Sequence, residues 1–174
     1  MRYTVYAAAL AATTAFATPA FAQVAAPTSG SAEIQSRALI LQPATIVAGN
    51  RLDFGTVVAS NAAGTVTVNP DPNGILVSDT GGATAVTGAS RGTFNGNGTP
   101  DSEVSVTVTW DSNLLHSSGS GDFLAFAGSS YGAGTFNIRP DGLFTVFVGG
   151  QIDVKAGQAP GEYTGKVYVD AQFQ

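Results

Sequence analysis

The last twelve residues of the chain, 163–174, alternate between apolar or small side chains and largely polar ones. The odd positions carry Tyr, Gly, Val, Val, Ala and Phe, and the even positions carry Thr, Lys, Tyr, Asp, Gln and Gln. Because successive side chains of a β-strand point to opposite faces, this pattern predicts one strand over residues 162–173 with one buried face. Such a strand needs other strands to pair and pack with, so a mostly β fold follows.

The rest of the chain alternates short strand-like runs with turn clusters rich in Gly, Pro, Asn and Asp, and no stretch shows helical periodicity with capping signals. The remaining predicted strands are 38–48, 51–59, 64–69, 74–78, 83–87, 103–110, 123–126, 134–138, 143–148 and 151–154. This spacing predicts an all-β sandwich. Residues 77–100 and 112–133 are rich in Gly and Ser, and we expect long surface loops there.

The N-terminal residues 1–22 have the form of a cleaved signal peptide. Arg2 precedes an apolar, alanine-rich core, and Pro19 leads into the small-x-small site Ala20-Phe21-Ala22. The mature chain should therefore begin at Gln23. The alternative is an uncleaved anchor or a buried N-terminal helix.

Charge and composition narrow the function classes. The net charge of −5 offers no electrostatic footprint for nucleic acid or for an anionic membrane surface. With no Cys and one His, the chain has no disulfide framework and little with which to bind a transition metal. We expect no cofactor and no direct insertion into a membrane.

One enzyme signature occurs in the sequence. Residues 88–92 match the G-x-S-x-G nucleophile elbow around Ser90, and Asp101, Asp111 and His116 follow in the order acid, then histidine. The elbow requires a helix after the serine, but Gly- and Asn-rich residues 93–100 follow, so we expect no catalytic residue and no enzyme. Asp71 and Asn73 lack the spacing of a calcium loop, and we expect no metal ligand.

Four features together carry a family resemblance. Gly161 is fourteenth from the end, Phe173 is the penultimate residue, residues 52–55 read LDFG, and residues 160–169 read PGEYTGKVYV. Over residues 23–174 the chain resembles bacterial chaperone–usher pilus subunits of the spore coat protein U-like group and related domain families of unknown function. Many of those proteins have a disulfide that this chain lacks. Taken singly, Pro160-Gly161 fits a type II turn and Phe173 an ordinary core residue.

The resemblance implies an immunoglobulin-like β-sandwich that lacks one strand and is completed by a donor strand from a neighbouring subunit. The implied partners are a periplasmic chaperone, an outer-membrane usher and identical or related subunits, without nucleic acid. The implied function is a structural subunit of a surface fibre that aids adhesion or biofilm formation, and the implied location is the periplasm in transit and then the cell surface. The alternative is a self-contained secreted β-sandwich that binds a component of the envelope.

The resemblance also assigns site residues. The sandwich would comprise residues 44–174, and an N-terminal extension, residues 23–43, would hold the donor strand. Small and apolar residues there alternate with polar ones up to Leu39; the alternative is a disordered leader before an ordinary first strand. The donor residues are Gly30, Ala32, Ile34, Ala38 and Ile40. The residues that would pair with the chaperone and line the acceptor groove are Gly161, Tyr163, Val167, Val169, Ala171 and Phe173.

Overall fold

The computed structural model describes residue 35 and residues 37–174, and within these residues it contains eleven β-strands and no helix. The strands are β1 (Thr45–Ala48), β2 (Thr56–Val68), β3 (Val77–Thr87), β4 (Gly92–Asn97), β5 (Glu103–Trp110), β6 (Asn113–His116), β7 (Phe123–Tyr131), β8 (Gly134–Asn137), β9 (Leu143–Val154), β10 (Tyr163–Thr164) and β11 (Val167–Phe173). All pairings are antiparallel, which confirms the predicted all-β class and is consistent with an immunoglobulin-like sandwich.

Strand β9 organises the larger of two sheets. Its first half pairs with β4, its second half pairs with β2, and β7 runs along the opposite edge. The sheet therefore has the order β1-β4-β9-β7-β6-β10, with β2 on β9 and β3 on β2. Because strands twist, a sheet of this width curls, and here it forms an open half-barrel.

The smaller sheet, in the order β11-β5-β8, covers only part of the concave face of the larger one. A core cluster between the two sheets joins Val104 and Val106 of β5 to Phe144 and Val146 of β9. A second cluster lies on the other half of β9 and is built from Val66, Ala83, Leu124, Phe126, Ile152 and Val154, with no member from β5. That half of the concave face is left for the site described below.

The prediction of one continuous C-terminal strand is wrong. Tyr163 and Thr164 pair with β6 of the larger sheet, whereas residues from Val167 onward pair with β5 of the smaller sheet. The chain changes sheets at residues 165–166, where the Lys166 N–H donates to an Asp111 carboxylate oxygen at 2.8 Å. The period-two pattern persists across this break because Tyr163 and Val167 pack on one core cluster and Val169, Ala171 and Phe173 pack on the other.

The expectation of long loops over residues 77–100 and 112–133 is also wrong, since β3, β4, β6 and β7 lie there. Glycine in these strands leaves space for aromatic rings. A Cβ at Gly96 would overlap the ring of Phe144, and a Cβ at Gly128 would overlap the indole of Trp110. A glycine inside a strand can mark such a close approach, so these glycines are packing sites and not turns.

Residues 39–174 form one compact unit. The predicted signal peptide, residues 1–22, lies outside the described residues. Among the residues that are described, no helix is long and apolar enough to cross a membrane.

Candidate functional site: an open cleft in the half-barrel

A cleft of about 770 Å³ occupies the uncovered part of the concave face. One side is formed by residues within 48–59, ahead of and inside the start of β2, and the other by residues 158–167, which include β10. The floor comes from the strands between them and consists of Leu114, Leu124, Phe126, Val148, Ile152 and Val154. One side thus includes β10, an edge strand of the curled sheet, and the other is formed by the connection from β1 to β2 and by the start of β2.

The floor of the cleft is apolar, and the charges lie at its rim. Phe126 is 6% exposed, and Phe54 packs edge-on against it with ring centroids 5.9 Å apart. The charged lining residues are Arg51, Asp53, Glu162 and Lys166, and all four are exposed. With two charges of each sign, the rim favours neither an anionic nor a cationic ligand.

The LDFG motif builds the first side. An oxygen of the Asp53 carboxylate accepts a hydrogen bond from the Gly55 N–H at 2.7 Å, a turn in which the aspartate side chain caps the backbone two residues on. Gly55 has a φ of 73°. Asp53 also forms a two-bond backbone bridge with Ser90 at 2.8 Å. This turn directs Leu52 and Phe54 toward the core and leaves Asp53 outside, as an edge or turn residue.

The second side depends on Gly161 and three polar side chains. The His116 imidazole lies directly against Gly161, and its Nε2 is 3.1 Å from the Pro160 carbonyl oxygen. Its ring also meets Tyr163 edge-on at a centroid distance of 4.9 Å. The Tyr163 hydroxyl donates to the Ala159 carbonyl oxygen and accepts from the Gln158 side-chain amide, both at 2.8 Å. Gly161 has a φ of 154°, so it does not adopt the φ near +80° of a type II turn.

Each side includes a short strand edge that, within the described residues, pairs along one side only. Residues 56–59 of β2 pair with β3, and β10 pairs with β6, each away from the cleft. At one end of the cleft, β1 has β4 and β11 has β5 as the sole partner among residues 37–174. Backbone N–H and C=O groups on such edges can accept an additional strand.

The six predicted C-terminal site residues divide between two places. Gly161, Tyr163 and Val167 line the cleft. Val169, Ala171 and Phe173 lie beyond it, half-buried against the inter-sheet cluster. There they pack in the same cluster as Ala44 and Ile46, next to and within β1. Strand β1 of the same chain therefore lies near the end of β11, and the open cleft begins only at Val167.

Of the predicted donor residues, the structure describes only Ala38 and Ile40. Gly30, Ala32 and Ile34 lie outside the described residues. Ala38 is exposed, and Ile40 is 91% exposed in a segment that belongs to no strand. The segment's neighbour Leu39 is 70% exposed, and the Gln42 N–H donates to the Thr99 hydroxyl at 2.7 Å.

The serine motif does not assemble into a catalytic triad. The Ser90 hydroxyl donates to the Arg51 carbonyl oxygen at 3.0 Å. His116 is engaged by Pro160 and by the Ser118 N–H, which lies 3.1 Å from Nδ1. The Asp111 carboxylate accepts a hydrogen bond from the Lys166 backbone N–H at the junction between β10 and β11. It therefore serves this junction and not the His116 imidazole, as a triad would require. Across the described part of the chain, no group of three or more His, Cys, Asp or Glu residues could hold a metal ion.

Sequence reasoning missed the floor of the cleft. Leu124, Phe126, Ile152 and Val154 sit in runs that are predicted as strands, and their alternate spacing marks them as one-face residues. Leu114 lies in a stretch expected to be a loop. Pairing order and curl decide which apolar faces meet around a cleft, and neither is encoded in a local pattern.

Comparison with known proteins shows which family the domain belongs to. No curated protein matches the chain, and no solved structure matches it. A family model described as a domain of unknown function matches residues 44–173, which run from the residue before β1 to the last residue of β11. Since this match covers well over half of the chain, the protein belongs to the DUF4402 family.

Proposed function

We propose that the protein is a structural subunit of a surface fibre that is assembled by β-strand donation. The observation that carries this proposal is the cleft, an apolar floor flanked by unpaired strand edges in an open half-barrel. An extended segment inserted there would form main-chain hydrogen bonds with the edges and bury alternate side chains on the floor, which is the chemistry of strand addition.

The dimensions suit a short strand. Residues 161–167 span at most about 20 Å at ~3.3 Å per residue, and only Tyr163 and Thr164 among them pair with the larger sheet, so a donor of about six residues would cover this side. Two or three inward-facing apolar side chains would contribute on the order of 5 kcal/mol, at about 1.5–3 kcal/mol each. That is comparable with the whole stability of a typical domain, about 5–15 kcal/mol, so an added strand would strongly stabilise the subunit.

The donor in this proposal is the segment before β1. Residues 37–40 are exposed and belong to no strand, and Ile40 presents most of its side chain to solvent. A large, exposed aliphatic residue next to a segment of alternating small and polar residues is expected of a strand that pairs with another molecule. About six residues from the segment 30–40 of one subunit would enter the cleft of the next.

The proposal also includes the route by which the subunit reaches the cell surface. A leader at residues 1–22 would direct export, and the exposed edges of β1 and β11 would need protection before assembly because such edges aggregate. A periplasmic chaperone would supply a temporary strand, and an outer-membrane usher would catalyse the exchange for the next subunit. The assembled fibre would contribute to adhesion or biofilm formation.

The test is refolding of the purified chain with and without a synthetic peptide of residues 30–42. Size-exclusion chromatography, protease resistance and electron microscopy should show polymers without the peptide and a capped, more protease-resistant monomer in excess peptide. A peptide with Ala38→Asp, which places a charge on the floor, serves as the matched control and should bind far more weakly. A chain that refolds alone to a protease-resistant monomer and neither polymerises nor accepts the peptide would contradict the proposal and favour a self-contained envelope-binding module.

A further inference from the structure

The convex face of the larger sheet carries a neutral patch of aromatic, hydroxyl and amide side chains on the side opposite the cleft. Along β9 the even residues Phe144, Val146 and Val148 are buried, so the odd residues Thr145 and Phe147 point outward. The register then aligns two rows. Phe147 lies between Thr93 of β4 and Tyr131 of β7, and Thr145 lies beside Asn95.

Two neighbouring rings, the exposed Tyr131 and the half-buried Phe147, lie at the centre of this patch, which is defined by Thr93, Asn95, Tyr131, Thr145 and Phe147. The ring centroids of Tyr131 and Phe147 are 6.4 Å apart and the rings are tilted by 57°. Tyr131 is 46% exposed, and neither ring belongs to a core cluster of the described residues. An exposed aromatic ring packed beside a second, partly accessible one is typical of binding surfaces, because such rings bring large contact area at low entropic cost.

Polar groups beside the rings are held in fixed positions. The Thr145 hydroxyl donates to the Asn95 side-chain oxygen at 3.2 Å, which orients the Asn95 amide so that its NH₂ group can donate to a ligand. The Thr93 hydroxyl oxygen accepts from the Asn50 N–H at 2.8 Å and keeps its own proton for donation. The two rows are one pleat repeat apart, about 7 Å, so donors and rings lie within the span of one or two sugar units.

The lack of charge in the patch limits the classes of ligand that it can bind. All five residues of the patch are neutral, and Arg91, which immediately precedes β4, donates to the Asp71 carbonyl oxygen. A surface without charge offers nothing to a nucleic acid or to an acidic polymer, particularly on a chain with a net charge of −5. A sugar ring has an apolar C–H face that stacks on an aromatic ring and equatorial hydroxyls that pair with amides and hydroxyls. This combination matches the patch.

We infer that the Tyr131–Phe147 patch binds an uncharged polysaccharide. The site is separate from the cleft and lies on the other face of the sheet, so it is independent of strand donation. In a fibre it would be repeated on every subunit, and a weak contact with one sugar chain would be multiplied along the polymer.

The experiment is affinity gel electrophoresis of the purified protein through laminarin, dextran and hydroxyethylcellulose, with alginate as an anionic comparison. At least one neutral polymer should retard the protein, and Tyr131→Ala and Phe147→Ala should each weaken the interaction by about tenfold, as expected for a central aromatic contact. Tyr168→Ala is the matched control, because Tyr168 is 48% exposed but lies on the smaller sheet and should have no effect. Thermal unfolding would verify that all variants remain folded.

Three results would overturn the inference: no retardation by any neutral polymer, retardation that both patch variants retain, or retardation by alginate alone. Loss of self-association in Tyr131→Ala in the absence of any polysaccharide would instead assign the patch to contacts between copies of the chain. None of these results depends on whether the cleft accepts a donor peptide, so the two proposals can fail separately.

Discussion

The imidazole of His116 occupies the space that a Cβ at position 161 would need, so only glycine permits the contact between these two residues. The ring contacts Gly161, Pro160 and Tyr163 together and thereby fixes one side of the cleft. The glycine that is fourteenth from the C-terminus therefore has a local physical role, in addition to its φ of 154°.

We expect Gly161→Ala to lower the free energy of unfolding by about 1–3 kcal/mol, because it adds backbone strain and displaces the imidazole. Gly134→Ala is the control for strain alone, since Gly134 has a φ of 104° and no atom lies within 4 Å of the place that its Cβ would take. The double variant His116→Ala/Gly161→Ala should recover part of the loss. Chemical denaturation measures all three, and equal losses for Gly161→Ala and Gly134→Ala would show that the imidazole contact is unimportant.

The indole of Trp110 rests on Gly128 of β7, across the two sheets. Gly128→Ala should push the ring outward from its present 37% exposure and destabilise the sandwich by about 1–3 kcal/mol through overpacking. Trp110 is the single tryptophan of the chain, so the fluorescence emission maximum reports its displacement directly as a red shift. An unchanged spectrum together with unchanged stability would contradict this packing.

Ser90→Ala should cost only about 1 kcal/mol of stability, because it removes one hydrogen bond to the Arg51 carbonyl and leaves the backbone bridge to Asp53 intact. Assembly should be unaffected. A fluorophosphonate probe should fail to label the wild-type protein, as measured by intact mass. Stoichiometric labelling at Ser90 would show an activated serine and overturn the expectation that the chain is not an enzyme.

Leu39 and Ile40 are both large and exposed, but in the donor hypothesis they point to opposite faces of the inserted strand. Ile40→Asp should abolish polymers, since it would place a carboxylate on the apolar floor, whereas Leu39→Asp should leave polymer length nearly unchanged. Negative-stain electron microscopy of both variants gives the comparison. Equal inhibition by the two would indicate non-specific hydrophobic association.

Removal of residues 23–41 should give a subunit whose cleft still accepts the peptide of residues 30–42 but which cannot polymerise. Peptide binding is measured by fluorescence anisotropy and polymer formation by size-exclusion chromatography. Polymers of normal length from the truncated chain would show that the donor lies elsewhere.

Local patterns were sufficient for the fold class and for many of the strands. Alternation over residues 163–173 encodes which side chains face inward, because the two-residue period is a property of the single strand. The predicted strand over residues 51–59 began too early, because the Asp53 carboxylate caps the Gly55 N–H and forms a turn there, and β2 starts only at Thr56.

Tertiary structure decided what local patterns could not express. Glycines at 96 and 128 look like turn signals, and only the aromatic rings that pack on them explain why they lie in strands. The predicted final strand is divided between two sheets near Lys166. The Lys166 N–H donates there to the carboxylate of Asp111, a residue distant in sequence. The cleft exists because the smaller sheet covers half of a curled larger one, and curl and coverage arise from strand order, which depends on long-range pairing and not on any one segment.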